Sequence, residues 1–157
     1  MHLVYPHENG ARANAAPVTC CSPGEINTIF PADLEAMEGV MADVDRLLAI
    51  SGWSAADVMN TDLAVREALA NAIRHGCKND PGKHVQCRMT FEAGGEVVIV
   101  VRDPGPGFDP AKVPNPLEGE RRYKGSGRGV FLIHELMDTV EFTDGGRQVR
   151  MRKRPAR

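Results

Sequence analysis

Five consecutive β-branched residues at positions 97–101 place the strongest constraint on how this chain folds. A run of this kind, without polar alternation, is typical of a strand buried on both faces, so it predicts a central strand of a sheet. The strand leads into Asp103 and a turn rich in proline and glycine. A carboxylate at the end of a buried strand is well placed to contact a ligand at the edge of the sheet.

Other segments supply the neighbours of this strand. Apolar and polar residues alternate over residues 85–92, which predicts a strand with one buried face, and residues 25–30 read as a short edge strand. Two further runs, residues 139–143 and 148–153, flank Asp144, Gly145 and Gly146 and predict a hairpin.

Three segments have helical periodicity. Apolar residues recur at three- and four-residue steps from Asp33 until Gly52 ends the pattern, and Ser54 and Asp57 form a capping pair for a second helix that ends at Gly76. Residues 127–137 form a third, mostly apolar helix. The elements predict a two-layer α/β (α+β) sandwich, in which three helices cover one face of a mixed, mostly antiparallel sheet.

The second helix has a polar stripe formed by Glu67, Asn71 and His75. Four-residue steps advance only about 40° around a helix, so the three side chains share one face, and alanines beside them would let a ligand approach closely. An amide oxygen suits Mg²⁺, and a carboxylate one turn away could accept a proton from a hydroxyl. Taken singly, Glu67 and Asn71 are also ordinary helix-surface residues.

Glycine-rich turns follow this helix twice, with Gly105 and Gly107 in the first turn and Gly125, Gly127 and Gly129 in the second. Glycines at a helix start let phosphate groups approach backbone N–H groups, where the helix dipole favours negative charge. The spacing fits neither the dinucleotide fingerprint, which follows a strand, nor a Walker A loop, which requires Gly-Lys-Ser/Thr. The proline-rich segment 108–124 is long for a loop and typical of a lid.

Composition excludes several classes of protein. The 157 residues are most simply one domain, and the net charge of −2 gives no general attraction to nucleic acid or anionic lipid. The four cysteines form no Cys-x-x-Cys pair, so free thiols and a reducing compartment are expected. No apolar run approaches the roughly 18 residues of a membrane span. We therefore expect a cytoplasmic protein with a mobile N-terminal leader over residues 1–22 and a single domain over residues 23–157.

In order along the chain, three motifs resemble the boxes of the ATP-binding (Bergerat-type) fold shared by DNA gyrase, sensor histidine kinases and mismatch-repair ATPases. The boxes are residues 67–76, residues 103–109 and residues 125–138, on a helix, a strand end and a helix start. Over residues 25–153 the chain is most similar to the small anti-sigma-factor serine-protein kinases of bacterial partner switching.

This resemblance implies a role for each matching residue. Glu67 corresponds to the base that takes the proton of a substrate serine, Asn71 to the residue that holds Mg²⁺, and Asp103 to the residue that binds the amino group of adenine. Gly105 and Gly107 would let the backbone pass close to the base. The residues implied around the phosphates are Lys124, Gly125, Gly127, Arg128 and Gly129.

The resemblance also implies ATP and Mg²⁺ as cofactors, a STAS-type anti-anti-sigma protein as substrate, a sigma factor or analogous regulator as the sequestered partner, and a homodimer. In related sequences a threonine usually follows the glycine of the last hairpin, but here Arg147 follows Gly146. This difference places the base-binding network in question.

The sequence also allows three alternatives. The chain could be a non-catalytic ATP-binding switch that holds or releases a partner, although the presence of Glu67 favours the kinase because binding alone needs no base. A sensor histidine kinase domain is disfavoured because no helical pair with a phospho-acceptor histidine precedes residue 25, and a gyrase-like ATPase would need further domains.

Overall fold

The sheet and helices are seen in a computed structural model, which describes residues 18–22, 24–113 and 127–156. Among these residues no helix combines the length and apolar character needed to cross a bilayer. The strands are β1 Val18–Ser22, β2 Glu25–Pro31, β3 His84–Phe91, β4 Val97–Arg102, β5 Thr139–Thr143 and β6 Gln148–Lys153, and the helices are α1 Leu34–Ala49, α2 Ala55–Asn71 and α3 Arg128–Leu136.

The six strands form one sheet in the order β1-β2-β3-β4-β6-β5. All five neighbouring pairs within the described residues are antiparallel, so the sheet contains no parallel pair there. The predicted two-layer sandwich with three helices is confirmed, and β4 is an inner strand as its sequence predicts.

The hydrophobic core lies between one face of the sheet and the helices. Val97, Ile99 and Val101 of β4 belong to this core together with buried residues of all three helices. Val98 points to the opposite face, yet it is only 7% exposed, with Thr90 and Arg152 as its cross-strand neighbours. Val98 is thus buried although it lies on the face of the sheet opposite to the core residues of β4.

Two features of the N-terminal part differ from the sequence prediction. Residues 18–22, which the sequence assigned to the leader, form β1 and pair with β2. As a consequence β2 is an inner strand between β1 and β3, and the prediction of an edge strand at residues 25–30 was wrong. The leader's remaining residues, 1–17, lie outside the described part of the chain.

The basic residues near the C-terminus are mostly engaged in ion pairs on the surface. Arg152 lies 3.5 Å from Glu96, Lys153 lies 3.5 Å from Asp138, and Arg154 lies 3.4 Å from Glu96. Arg154 is exposed, whereas Arg152 and Lys153 are only partly exposed and extend from opposite faces of β6. Ion pairs of this kind at the surface contribute little to stability.

Asp57 ties the C-terminal end of the chain to the start of α2. Its Oδ2 accepts hydrogen bonds from the Ala156 N–H at 3.1 Å and the Ser54 hydroxyl at 2.9 Å, and Ser54 Oγ accepts from the Asp57 N–H. The Ala156 and Ser54 bonds and the charge of Lys153 lower the pKa of Asp57, although its burial acts in the opposite direction. The capping pair predicted from the sequence is confirmed.

Asp57→Asn should lower the free energy of unfolding by about 1–2 kcal/mol at neutral pH, because an amide accepts these hydrogen bonds less strongly than a carboxylate. Since folding lowers this pKa, the difference from wild type should be complete above the ordinary value of 3.8 and fade as the pH falls below it. Urea unfolding of both proteins over a range of pH measures this difference in the free energy of unfolding. Glu38→Gln, in an exposed pair with Arg66, is the control and should change little. A difference that did not depend on pH would contradict this role of the Asp57 charge.

Candidate functional site

At the C-terminal end of α2 the helix changes to a wider, π-type turn over Ala72–Gly76. The N–H of Cys77 donates to the carbonyl of Ala72 at 2.8 Å, a five-residue step in place of the usual four. The α helix predicted to reach His75 therefore ends at Asn71, although His75 still lines the same cavity as Asn71. Single π turns inside helices are frequent at functional sites.

Asp103 follows β4 and is held by backbone groups from three parts of the chain. Its N–H donates to the carbonyl of Arg147 at 3.0 Å, and its Oδ1 accepts from the N–H of Gly105 at 2.8 Å. A methyl group on Gly76 would lie 2.2 Å from Asp103 Cγ, and one on Gly105 would lie 2.2 Å from the Gly76 carbonyl oxygen. The two glycines are therefore required so that the end of α2 can touch this carboxylate.

Burial raises the pKa of Asp103, while the Gly105 N–H and the positive charge of Arg147 act in the opposite direction. Oδ1 already accepts from Gly105. Oδ2 has no hydrogen-bond partner within the described residues and is the atom available to a ligand.

The loop after β4 packs backbone to backbone against the β5–β6 turn. The Phe108 N–H donates to the Gly145 carbonyl at 2.9 Å. A methyl group on Gly107 would lie 2.0 Å from that same oxygen, and one on Gly146 would lie 2.2 Å from the Phe108 carbonyl oxygen. Both glycines have positive φ, of 74° and 84°. This contact closes the site on the side of Asp103 and could not have been predicted from either segment alone.

Near the start of α3, Gly129 packs against the polar stripe of α2. A methyl group on Gly129 would lie 2.9 Å from Glu67 Oε2 and 3.0 Å from Asn71 Nδ2. The N-cap of α3 is Gly127, with φ of 89°, which has no side chain to bond the free N–H groups of the first turn. A carboxylate, an amide and a helix N-terminus are therefore brought together.

These elements surround one cavity of about 400 Å³, a size that suits a small-molecule ligand. Its walls are mainly apolar, and polar groups converge at a few points. Asn71 and Asp103 both line it, Asn71 from the last position of α2 and Asp103 from beyond β4, where it lies against Gly76. Such a cavity can hold an elongated ligand with a hydrogen-bonding ring near Asp103 and an anionic tail near the start of α3.

Most of the residues singled out from the sequence meet here. The cavity is lined by Asn71, Asp103, Gly107 and Gly127. Next to this lining, Gly105 contacts Gly76, and Gly129 packs against Glu67 and Asn71. Arg128 is exposed at the first position of α3. Lys124 and Gly125 lie outside the described residues.

Sequence reasoning missed much of the apolar wall. Val130, Ile133, Phe142 and Val149 line the cavity, and Phe108 packs edge-on against Phe142 with ring centroids 5.2 Å apart. The apolar periodicity of α3 and the alternation of β6 showed only that these residues are buried somewhere. Which of them face a ligand depends on contacts between distant segments.

The chain matches the family described as "Histidine kinase-like ATPase domain" over residues 30–153. The serine-protein kinase RsbW of Bacillus licheniformis is 30% identical over 131 residues, which cover 78% of this chain and 81% of that protein. RsbW of Staphylococcus epidermidis is 29% identical over 119 residues, which cover 71% of this chain and 74% of that protein.

A solved structure gives the same fold. The crystal structure of the RsbU and RsbW domains of a Mycobacterium tuberculosis protein matches 85% of this chain and 33% of that longer chain, with a TM-score of 0.57 and 19% identity. With the family match and the curated relatives, the chain belongs to the histidine kinase-like ATPase family and, within it, to the anti-sigma-factor serine-protein kinases.

Proposed function

We propose that the chain is an ATP- and Mg²⁺-dependent serine/threonine protein kinase that acts in the cytoplasm as an anti-sigma factor or related partner-switching regulator. Its substrate is a STAS-type anti-anti-sigma protein, and its sequestered partner, held by a homodimer, is a sigma factor or analogous regulator. The names of the curated relatives support kinase activity. The observation that carries the proposal is that Asn71 and Asp103, from motifs far apart in sequence, line one cavity.

Asp103 is the proposed acceptor for the adenine amino group. Oδ2 is available because Oδ1 is already bound by the Gly105 N–H. The carboxylate is fixed by its contacts with the backbone of Gly76 and Gly105, so its orientation is set before the ligand arrives. Gly107 keeps this side of the cavity free of a side chain.

At the opposite side, Asn71, Gly127, Arg128 and Gly129 are the proposed partners of the phosphates and their metal ion. The same role is proposed for Lys124 and Gly125, which lie outside the described residues. A single neutral amide fits Mg²⁺, which keeps several waters and takes its remaining ligands from phosphate oxygens. When bound, the ion would neutralise part of the phosphate charge.

Glu67 is the proposed base for transfer. It accepts the proton of the substrate hydroxyl while the hydroxyl oxygen forms its bond to the γ-phosphorus and the bond to the β-γ bridging oxygen breaks, releasing ADP. Within the described residues no hydrogen bond or ion pair engages the Glu67 side chain, so the carboxylate is available for this task. Its contact with Gly129 sets it at the phosphate side of the site.

Gly76→Ala should weaken ATP binding by about tenfold or more, because the added methyl group would overlap Asp103 Cγ at 2.2 Å and displace the carboxylate that reads the base. Titration calorimetry with Mg–ATP measures the effect. Gly39→Ala in α1 is the control, since a methyl group there meets nothing within 4 Å and should favour the helix slightly. If the Gly76 variant bound ATP as tightly as wild type, the proposal that Asp103 recognises the base would be wrong.

The function is tested by incubating the purified chain with labelled Mg–ATP and a STAS-domain protein that has a serine at its phosphorylation position. Label should appear on that serine and disappear when the serine is replaced by alanine. The alternative, a non-catalytic switch, predicts ATP binding without transfer. Failure to bind ATP would exclude both functions.

A further inference from the structure

Arg147 is a cavity-lining residue outside the set proposed to bind the base and the phosphates. It follows Gly146 in the β5–β6 turn and lines the same cavity as Asp103. Its carbonyl accepts the Asp103 N–H at 3.0 Å, and its Cγ would lie 3.2 Å from a methyl group on Gly107. Arg147 therefore lies at the side of the cavity assigned to the base.

The guanidinium of Arg147 is held in one orientation by Asp144. Nε donates to the Asp144 carbonyl at 3.0 Å, and Nη2 donates to Asp144 Oδ1 at 2.7 Å. The other carboxylate oxygen of Asp144 accepts from Arg102 at 2.8 Å, which fixes Asp144 in turn. Nη1 of Arg147 has no partner within the described residues and remains available as a donor.

Asp103 and Arg147 both line this side of the cavity, so that a carboxylate acceptor and a guanidinium donor are offered together. Adenine presents an amino donor next to the N1 acceptor, whereas guanine presents the O6 acceptor next to the N1–H donor. If the carboxylate were alone, it would face guanine O6, and neither of these two acceptors would have a donor. Such a site would exclude guanine, since an unpaired buried acceptor is costly. A donor beside the carboxylate removes that penalty.

We infer that this site accepts guanine as well as adenine nucleotides, with Arg147 donating to guanine O6 while Asp103 accepts from guanine N1–H. The inference rests on the proposed nucleotide site and adds base selection to it. The simpler reading is that Arg147 only pairs with Asp144 on the surface, where exposed ion pairs contribute little. The two readings differ in what happens to GTP affinity when Arg147 is removed.

The experiment measures dissociation constants of Mg–ATP, Mg–GTP and Mg–ITP for the full chain by titration calorimetry. Wild type should bind GTP within about fivefold of ATP. Arg147→Thr should weaken GTP binding by about tenfold or more but ATP binding by less than threefold, as expected for loss of one hydrogen bond from a charged donor. ITP, which keeps O6 and N1–H, should follow GTP.

Arg150→Met is the matched control. Arg150 lies on β6 between the core residues Val149 and Met151, so it points to the opposite face of the sheet from the helices. Its loss should leave the ratio of GTP to ATP affinity unchanged.

The outcomes separate this inference from the proposed function. If wild type binds ATP but Arg147→Thr does not change the GTP to ATP ratio, or if wild type rejects GTP, base selection by Arg147 is overturned and the ATP site stands. If wild type binds no purine nucleotide, both proposals fail. Unfolding temperatures of each variant show whether an affinity change comes from loss of the fold.

Discussion

Glu67→Gln should lower the rate of phosphate transfer to a serine hydroxyl by about 10²–10⁴-fold, the usual contribution of a general base. Binding of Mg–ATP should stay within about twofold of wild type, because glutamine has the same shape and no hydrogen bond or ion pair within the described residues engages the Glu67 carboxylate. The change therefore separates binding from chemistry. Single-turnover transfer to the STAS partner and ATP titration, performed on the same preparation, measure the two quantities.

The matched control is Glu135→Gln, which removes an exposed carboxylate from α3 and should leave both binding and transfer unchanged. Transfer by the Glu67 variant at the wild-type rate would exclude Glu67 as the base. A loss of ATP binding as large as the loss of transfer would instead make Glu67 a binding residue.

Asn71→Ala should raise the dissociation constant of Mg–ATP by about 30- to 100-fold, as expected for about 2–3 kcal/mol lost with a ligand of a charged group. The amide lies in the cavity, and its Nδ2 lies 3.0 Å from the position of a methyl group on Gly129, so the variant also leaves a gap beside the start of α3. The remaining affinity should no longer depend on Mg²⁺. Titrations with ATP in Mg²⁺ and in EDTA test this.

Asn60→Ala is the control for the Asn71 variant. It removes an amide from the same helix about 16 Å nearer the N-terminus, away from the cavity. It should keep the full affinity and its dependence on Mg²⁺. If Asn71→Ala still bound ATP more tightly in Mg²⁺ than in EDTA, the metal would be held by another residue.

Local patterns predicted most of the elements. The Ser54 and Asp57 pair appears as predicted, and the strands at residues 97–101, 139–143 and 148–153 form where the sequence indicates. These features depend on capping, periodicity and turn chemistry, which act over a few residues. Predictions failed where a distant segment decides the outcome, as for β2, which becomes an inner strand only because β1 pairs with its free edge.

The candidate site shows the same division. The sequence identified Asn71, Asp103 and the glycines because each has a chemical or conformational property that can be read at one position. It could not show that Gly76 and Gly105 pack against the Asp103 carboxylate. Nor could it show that Gly107 and Gly146 allow two loops to pack together, because these contacts join segments far apart in the chain. It identified Arg147 only as an unexpected residue. The orientation of the Arg147 guanidinium appears only when Asp144 and Arg102 are in place.

By itself, the sequence determined the order of helices and strands from β2 onwards, the layer architecture and the residue types available for a nucleotide, because periodicity and side-chain chemistry are local properties. The tertiary structure alone decided that α2 ends in a π-type turn, that Glu67 and Asn71 meet Gly129, and that Asp103 and Arg147 share one wall. The physical reason is that the contacts of Gly129 with α2, and those that hold Asp103, join segments far apart in the chain. Such packing is possible only where glycine leaves the space.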